Sequence, residues 1–212
     1  MTLLPGETAI PVDAARWHDA LPGGTWPDGF ACSGKATRAD VFAVADRWRG
    51  GRVPAVQLAS AALAWGFGVR GYGRYRTGRV LAQDPDGARL ARALEHLRAE
   101  EIPPEALVDA YVRFHTSHRL RGLGPAFFTK ILYFAGYRRD RSGMQPLILD
   151  AVVARRLPED AGPARKYTYG WTSSTWHTYL AWAEKEAARP EYGGQPDHVE
   201  LSLFTGSWTP AA

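Results

Sequence analysis

Apolar residues in this chain recur mostly at spacings of three and four, and alternating apolar and polar runs are scarce. Spacings of three and four place apolar side chains on one face of an α-helix, whereas a half-buried strand requires alternation. The pattern therefore predicts an all-α fold. A chain of 212 residues has room for one domain or for two small lobes. We expect a single helical domain over residues 1–212.

Helix start and stop signals divide the pattern into segments. The predicted helices run from about 12 to 21, from 37 or 40 to 49, from 54 to 65 and from 86 to 100. Later helices are predicted to begin near 103, 125, 150, 171 and 197. Asp197 is the predicted N-cap of the last one. Glycines interrupt the periodicity between residues 66 and 79, GFGVRGYGRYRTGR, which predicts a loop.

The predicted loop has a composition that suits nucleic acid. Its four arginines are interleaved with Tyr72 and Tyr75, and arginine and tyrosine contact phosphates and unstacked bases. Arg74 and Arg76 are therefore candidate contacts to a DNA backbone. A solvated basic turn explains the same composition.

The net charge indicates the kind of partner, and the cysteine content limits the kinds of disulfide and metal site that the chain can form. The net charge of +4 and the isoelectric point of about 9.3 favour an anionic partner. The single cysteine, Cys32, excludes an internal disulfide and a four-cysteine metal site. His115, His118 and His177 lack metal-ligand spacing, so we predict no metal. The start of the chain has no signal-peptide pattern and no apolar run reaches bilayer length, so a cytoplasmic protein without membrane contact is expected.

One lysine interrupts an otherwise apolar segment, GLGPAFFTKILYFAGY, residues 122–137. A buried ammonium costs several kcal/mol unless it is paired or neutralised. Burial of Lys130 would disfavour the charged form and supply a free amine for chemistry. The structural alternative is that Lys130 reaches the surface from one edge of a buried helix.

A glycine-rich turn precedes this lysine. Gly122 and Gly124 permit a tight left-handed turn, and Pro125 suits the first position of the next helix. Such a turn directs backbone N–H groups at an anion such as a DNA phosphate. Arg121, Gly122 and Gly124 are therefore candidate contacts to the DNA backbone.

The pattern L-x-G-x-G-P followed by a helix, with an aspartate in LILD about twenty residues later, resembles the helix-hairpin-helix DNA glycosylase superfamily. The resemblance covers residues 106–157, with the hairpin motif at about 106–136. It implies a compact helical glycosylase fold that binds double-stranded DNA containing a damaged or modified base. It implies no cofactor, and we expect a monomer.

The position of the lysine is similar to one branch of that superfamily. The most common lysine position is Ala126 here, and Lys130 lies one helical turn later on the same face. In KILYFAG, Lys130 is followed four residues later by Phe134, as in the archaeal 8-oxoguanine glycosylases. By this resemblance Phe134 stacks on the extruded base, and 8-oxoguanine is the first candidate substrate. Trp65 is our second choice for a stacking wall.

The resemblance implies that Lys130 attacks C1′ of the sugar and that Asp150 assists, leaving a Schiff base through which the strand can be nicked. Asp150 is equally well placed as a plain helix cap. Two other functions stay open: a glycosylase without lyase activity, in which Asp150 activates water, and a non-catalytic DNA-binding protein.

Overall fold

The computed structural model describes residues 7–69, 71–139, 141–162 and 169–210, and these residues form ten α-helices and one two-stranded sheet. The helices are α1 (Ala14–Ala20), α2 (Arg38–Arg49), α3 (Ala55–Phe67), α4 (Tyr72–Leu81), α5 (Ala88–Leu94), α6 (Pro104–His115), α7 (Pro125–Gly136), α8 (Ala151–Arg156), α9 (Ser173–Glu186) and α10 (Pro196–Thr205). Strands β1 (Ile10–Pro11) and β2 (Lys35–Ala36) pair antiparallel. The all-α prediction is confirmed. None of the described helices is long and apolar enough to cross a membrane.

Helix α7 lies at the centre of the core. Every residue from 128 to 136 is buried, including the lysine. Helix α3 packs along it and α2 contacts both. The buried face of α3 is rich in alanine, which lets the two backbones approach closely. A helix that is apolar on nearly every side must be surrounded by others, and this requirement places Lys130 deep in the molecule.

Helix α4 occupies part of the stretch that was predicted to be a loop, so that prediction was wrong. Its glycines serve close packing. A Cβ atom at Gly78 would overlap the carbonyl oxygen of Ala20 in α1, and one at Gly73 would lie 2.5 Å from the side chain of Phe67. Glycine in a helix is tolerated where a neighbouring element leaves no room for a side chain. These glycines therefore let α4 lie against α1 and the end of α3.

Asp197 does not cap α10, contrary to prediction. The helix begins one residue earlier, at Pro196, and the Asp197 carboxylate faces the interior. It accepts hydrogen bonds from the hydroxyl groups of Tyr133 at 3.0 Å and Tyr137 at 2.8 Å. A buried carboxylate requires such donors, and here they join α10 to α7.

Candidate active site

Lys130 and Asp150 form an ion pair at the surface of the core. The ammonium Nζ of Lys130 donates to Oδ2 of Asp150 at 2.8 Å, and the two side chains are 7% and 16% exposed. The sequence predicted that these residues share a pocket, and the structure places them together. The low exposure shows that Lys130 does not extend into solvent.

The pairing depends on how the chain enters α8. Residues 147–149 lie outside any helix or strand and are buried beside α7. The hydroxyl of Thr129 accepts a hydrogen bond from the Leu149 amide at 3.1 Å and donates to the Pro125 carbonyl at 2.7 Å. Thr129 therefore fixes the residue before Asp150 against the helix that carries Lys130.

Asp150 is also the N-cap of α8, as predicted. Its Oδ1 accepts from the amides of Val152 at 3.0 Å and Val153 at 3.2 Å, leaving Oδ2 for Lys130. Burial works to raise the pKa of Asp150, but the Lys130 charge and the hydrogen bonds outweigh it and the pKa is lowered. Capping and pairing with lysine thus both keep the carboxylate ionised.

Gly66, in α3, makes room for the lysine side chain. A Cβ atom at this position would lie 2.6 Å from Cδ and 2.9 Å from Cε of Lys130. The aliphatic stem of Lys130 therefore lies directly across the backbone of α3 at Gly66. A larger residue there would have to displace the stem.

The pair lies on the wall of a cavity of about 370 Å³. This volume is near the lower end of the range for small-molecule sites, which is about 300–1,000 Å³. Its lining combines charged side chains with apolar ones. The lining residues are Glu7, Thr8, Ile10, Arg38, Trp65, Gly66, Lys130, Ile148, Asp150, Glu200, Leu201, Phe204 and Thr205.

A second ion pair lines the same cavity. Arg38, at the start of α2, and Glu200, in α10, meet at 2.6 Å, and their side chains are only 2% and 1% exposed. The guanidinium also donates to the Tyr133 hydroxyl at 3.0 Å and lies over the rings of Trp65 and Tyr133. Together with Glu7, which also lines the cavity, five charged groups, three acidic and two basic, therefore surround one small space.

Burial affects this second pair more strongly. Burial raises the pKa of Glu200, and the neighbouring Arg38 opposes the change only in part. Burial also works against the charge of Arg38, but Glu200 and Tyr133 outweigh it and raise the pKa of Arg38. The arginine therefore remains charged beside a carboxylate that burial drives towards its neutral form.

The two predicted stacking residues differ in position. Trp65 lines the cavity. Phe134 is completely buried and does not line it; its ring meets the ring of Trp65 edge to face at 5.3 Å and that of Phe42 at 5.0 Å. In this structure Phe134 therefore supports Trp65 from within the core, and its ring has no face open to a ligand.

The turn between α6 and α7, residues 116–124, has the expected geometry. Gly122 has a φ of +90°, and Gly124 immediately precedes Pro125 at the start of α7. The predicted DNA contacts Arg121 and Gly122 are exposed. Arg74 lies in α4 and is half-buried.

Arg76 has a structural partner within this region. Its Nε and Nη2 donate to the carbonyl of Gly122 at 3.2 and 2.8 Å, and its guanidinium lies 4.9 Å from the centre of the Phe127 ring. The side-chain amide of Gln83 brackets the backbone of Arg121, donating to its carbonyl at 3.0 Å and accepting from its amide at 2.9 Å. Helix α4 and the 116–124 turn therefore form one unit.

Sequence reasoning missed Arg38, Glu200 and Gly66. Arg38 and Glu200 lie 162 positions apart, and neither is in a recognisable motif. Gly66 could be read only as a break in periodicity. Among the described residues, no group of three or more His, Cys, Asp or Glu side chains could hold a metal ion.

Comparison with known proteins identifies the family of the chain. The chain matches the model of the family described as "Putative 8-oxoguanine DNA glycosylase OGG-like protein" over residues 4–204. No curated protein matches the chain, and no solved structure does. The matched range includes both ion pairs, the 116–124 turn and every residue that lines the cavity except Thr205, and it extends over nearly the whole chain. The protein therefore belongs to this OGG-like family.

Proposed function

We propose that this protein is a DNA glycosylase that extrudes an oxidised purine from duplex DNA and excises it through Lys130, with 8-oxoguanine as the first candidate. The observation that carries the proposal is the contact of 2.8 Å between Lys130 and Asp150 on the wall of a cavity of about 370 Å³. Family membership independently favours a glycosylase.

The chemistry requires a neutral amine at C1′ of the target nucleotide. Lys130 gives up a proton, with Asp150 as the nearest acceptor, and its nitrogen forms a bond to C1′. The bond from C1′ to the base breaks, and the base leaves with the electron pair and takes up a proton. Opening of the sugar ring then gives a Schiff base. Loss of a C2′ proton expels the 3′ phosphate and nicks the strand.

Asp150 has two parts in this scheme. Its carboxylate accepts the proton that Lys130 gives up and passes it to the departing base, and the carboxylate that is ionised again opposes the positive charge on the sugar. The lowered pKa of Asp150 supports an ionised group at neutral pH. Because Oδ1 is occupied by the two amides of α8, Oδ2 is the atom that faces the chemistry.

The 116–124 turn supports a contact to DNA next to the cavity. Gly122 and Gly124 leave its backbone accessible to a phosphate, and Arg121 is exposed beside them. Helix α7 begins at this turn and carries Lys130 less than two turns further on. A phosphate bound at the turn would thus place a neighbouring nucleotide near the cavity.

The direct test is release of free base from duplexes containing 8-oxoguanine, compared with undamaged duplexes. We expect the wild type to release 8-oxoguanine, Lys130→Ala to lose release by on the order of 1,000-fold, and Asp150→Asn to be strongly impaired. Lys185→Ala, an exposed lysine in α9, is the matched control and should be unaffected.

Each other outcome has a distinct meaning. Release that survives Lys130→Ala but not Asp150→Asn would indicate activation of water by Asp150. Tight binding without release from any oxidised or alkylated duplex would indicate a non-catalytic DNA-binding protein.

A further inference from the structure

Helix α4 has an exposed aromatic and basic face that the excision chemistry does not use. Tyr72 is 67% exposed and Tyr75 is 65% exposed, and Val69, just before the helix, is 76% exposed. These are three of the six large hydrophobic residues that are exposed in the described part of the chain. Such clustering of apolar surface marks an interaction site more often than chance.

The same face is basic and has no acidic residue. No Asp or Glu occurs between residues 66 and 83 or between residues 116 and 127. Arg79 and Arg121 are exposed, and within the described ranges neither side chain has a carboxylate partner. Exposed tyrosines between unpaired arginines suit single bases flanked by phosphates.

One edge of this same face of α4 is fixed to the rest of the molecule, because residues four apart on a helix lie on one side. Arg76 lies one turn after Tyr72 and is bonded to the Gly122 carbonyl. Its guanidinium covers Phe127, whose ring also stacks on that of Phe67 at 4.3 Å. Phe127 is three residues before Lys130 on α7. The tyrosine face is therefore held rigidly beside both the 116–124 turn and the helix that carries the lysine.

Extrusion of a base leaves its partner in the complementary strand unpaired and leaves a gap in the stack. DNA-binding proteins fill such gaps with apolar or aromatic side chains. We propose that Tyr72 and Tyr75 stack on this unpaired base, with Arg79 against the adjacent backbone. This inference rests on the proposed glycosylase function, since it requires an extruded base.

The test compares binding to two duplexes, one fully paired and one with a tetrahydrofuran abasic analogue that leaves the opposite base unpaired. Replacement of both tyrosines by alanine should weaken binding to the abasic duplex by roughly 10- to 100-fold, the range for loss of a base–aromatic stack. Binding to the paired duplex should change by less than about 3-fold, because its bases offer no open face.

Three variants serve as controls. Tyr72→Phe with Tyr75→Phe keeps both rings and should behave as the wild type. Tyr169→Ala removes a tyrosine that is 80% exposed outside α4 and should also have no effect. Arg79→Ala should weaken binding to both duplexes equally and reduce the salt slope by about one. Thermal unfolding should be unchanged for all, because the side chains are exposed.

The inference is overturned if the double alanine variant still prefers the abasic duplex as strongly as the wild type does. It is also overturned if the two replacements weaken binding to both duplexes equally. Failure of the glycosylase proposal looks different. In that case the wild type prefers the abasic duplex but releases no base. If the wild type excises the base and the double alanine variant keeps its full preference for the abasic duplex, the glycosylase proposal stands and the proposed role of the tyrosines is wrong.

Discussion

Two ion pairs line one cavity, and they differ in how tightly they are held. Lys130 meets Asp150 through a single hydrogen bond at the end of a flexible stem. Arg38 meets Glu200 while it also bonds to Tyr133 and lies over two aromatic rings. A side chain that forms a bond to the substrate has to separate from its ion-pair partner, whereas a side chain that maintains the shape of the cavity has to stay with its partner. The pair of Lys130 and Asp150 is therefore suited to catalysis, and the pair of Arg38 and Glu200 is suited to a structural role.

The two carboxylates also differ in their titration. Asp150 accepts two backbone hydrogen bonds in addition to the lysine, and its pKa is lowered despite burial. Glu200 is more deeply buried, and burial raises its pKa despite the arginine. The difference follows from the deeper burial of Glu200, and from the Lys130 charge and hydrogen bond at Asp150, to which the two amides of α8 add.

The largest expected effect on stability comes from breaking the closed pair. Arg38→Ala should lower the free energy of unfolding by about 3–5 kcal/mol, because Glu200 is then buried without a counter-charge. Lys130→Ala should cost less than about 2 kcal/mol, because Asp150 keeps its two amide donors. Denaturant unfolding of both variants measures the difference. Equal losses would contradict the division into a fixed pair and a movable pair.

The next effect is on activity alone. Gly66→Ala places a methyl group against the stem of Lys130, which is flexible enough to move aside. We expect base release to fall by about 10- to 100-fold, because a displacement of about 1 Å at a reacting group has effects of this size. Unfolding should change by less than about 1 kcal/mol. The control is Gly23→Ala, where a Cβ atom would meet nothing within 4 Å. Unchanged release would show that the fit at Gly66 does not position the lysine.

A smaller effect separates the two roles of Asp150. Asn is as good an N-cap as Asp, whereas Ala loses the cap at a cost of about 1 kcal/mol. Asp150→Ala should therefore unfold more easily than Asp150→Asn, while both lose base release to a similar degree. If Asp150→Asn retained base release, the carboxylate charge would have no part in the reaction.

The smallest effect is a difference in pH dependence. The pKa of Asp150 is lowered in the folded protein, so its contribution to stability is present above its unfolded value of about 3.9 and is lost as pH falls through the folded value. The pKa of Glu200 is raised, so its contribution declines as pH rises above about 4.3. The free energy of unfolding should be measured for wild type, Asp150→Asn and Glu200→Gln between pH 3 and 7. The stability that Asp150→Asn loses relative to wild type should increase with pH, whereas the stability that Glu200→Gln loses should decrease with pH. Parallel trends would show that the two sites have the same electrostatic surroundings.

The sequence was sufficient to predict the pair of Lys130 and Asp150 but not the pair of Arg38 and Glu200. Lys130 is conspicuous because it interrupts an apolar helix, and Asp150 stands where a helix cap is expected, while the resemblance to the glycosylase superfamily predicted that the two act together. Arg38 and Glu200 are charged residues in ordinary helical patterns, and only the tertiary fold brings α2 and α10 together.

Glycine explains the main error of the sequence analysis. In the stretch from 66 to 79, Gly73 and Gly78 lie inside α4, where neighbouring elements leave no room for a side chain. Sequence periodicity cannot distinguish a glycine that breaks a helix from one that permits close packing, because the difference lies in a distant part of the chain. Gly122, by contrast, has the left-handed conformation that its context predicted.

The central claim is that Lys130 is the nucleophile, and borohydride trapping on a duplex with an abasic site tests it most directly. The account predicts a covalent adduct with the wild type and with Lys185→Ala, none with Lys130→Ala, and peptide mapping that places the adduct on Lys130. An adduct that persists in Lys130→Ala, or a wild type that releases base without forming any adduct, would contradict it.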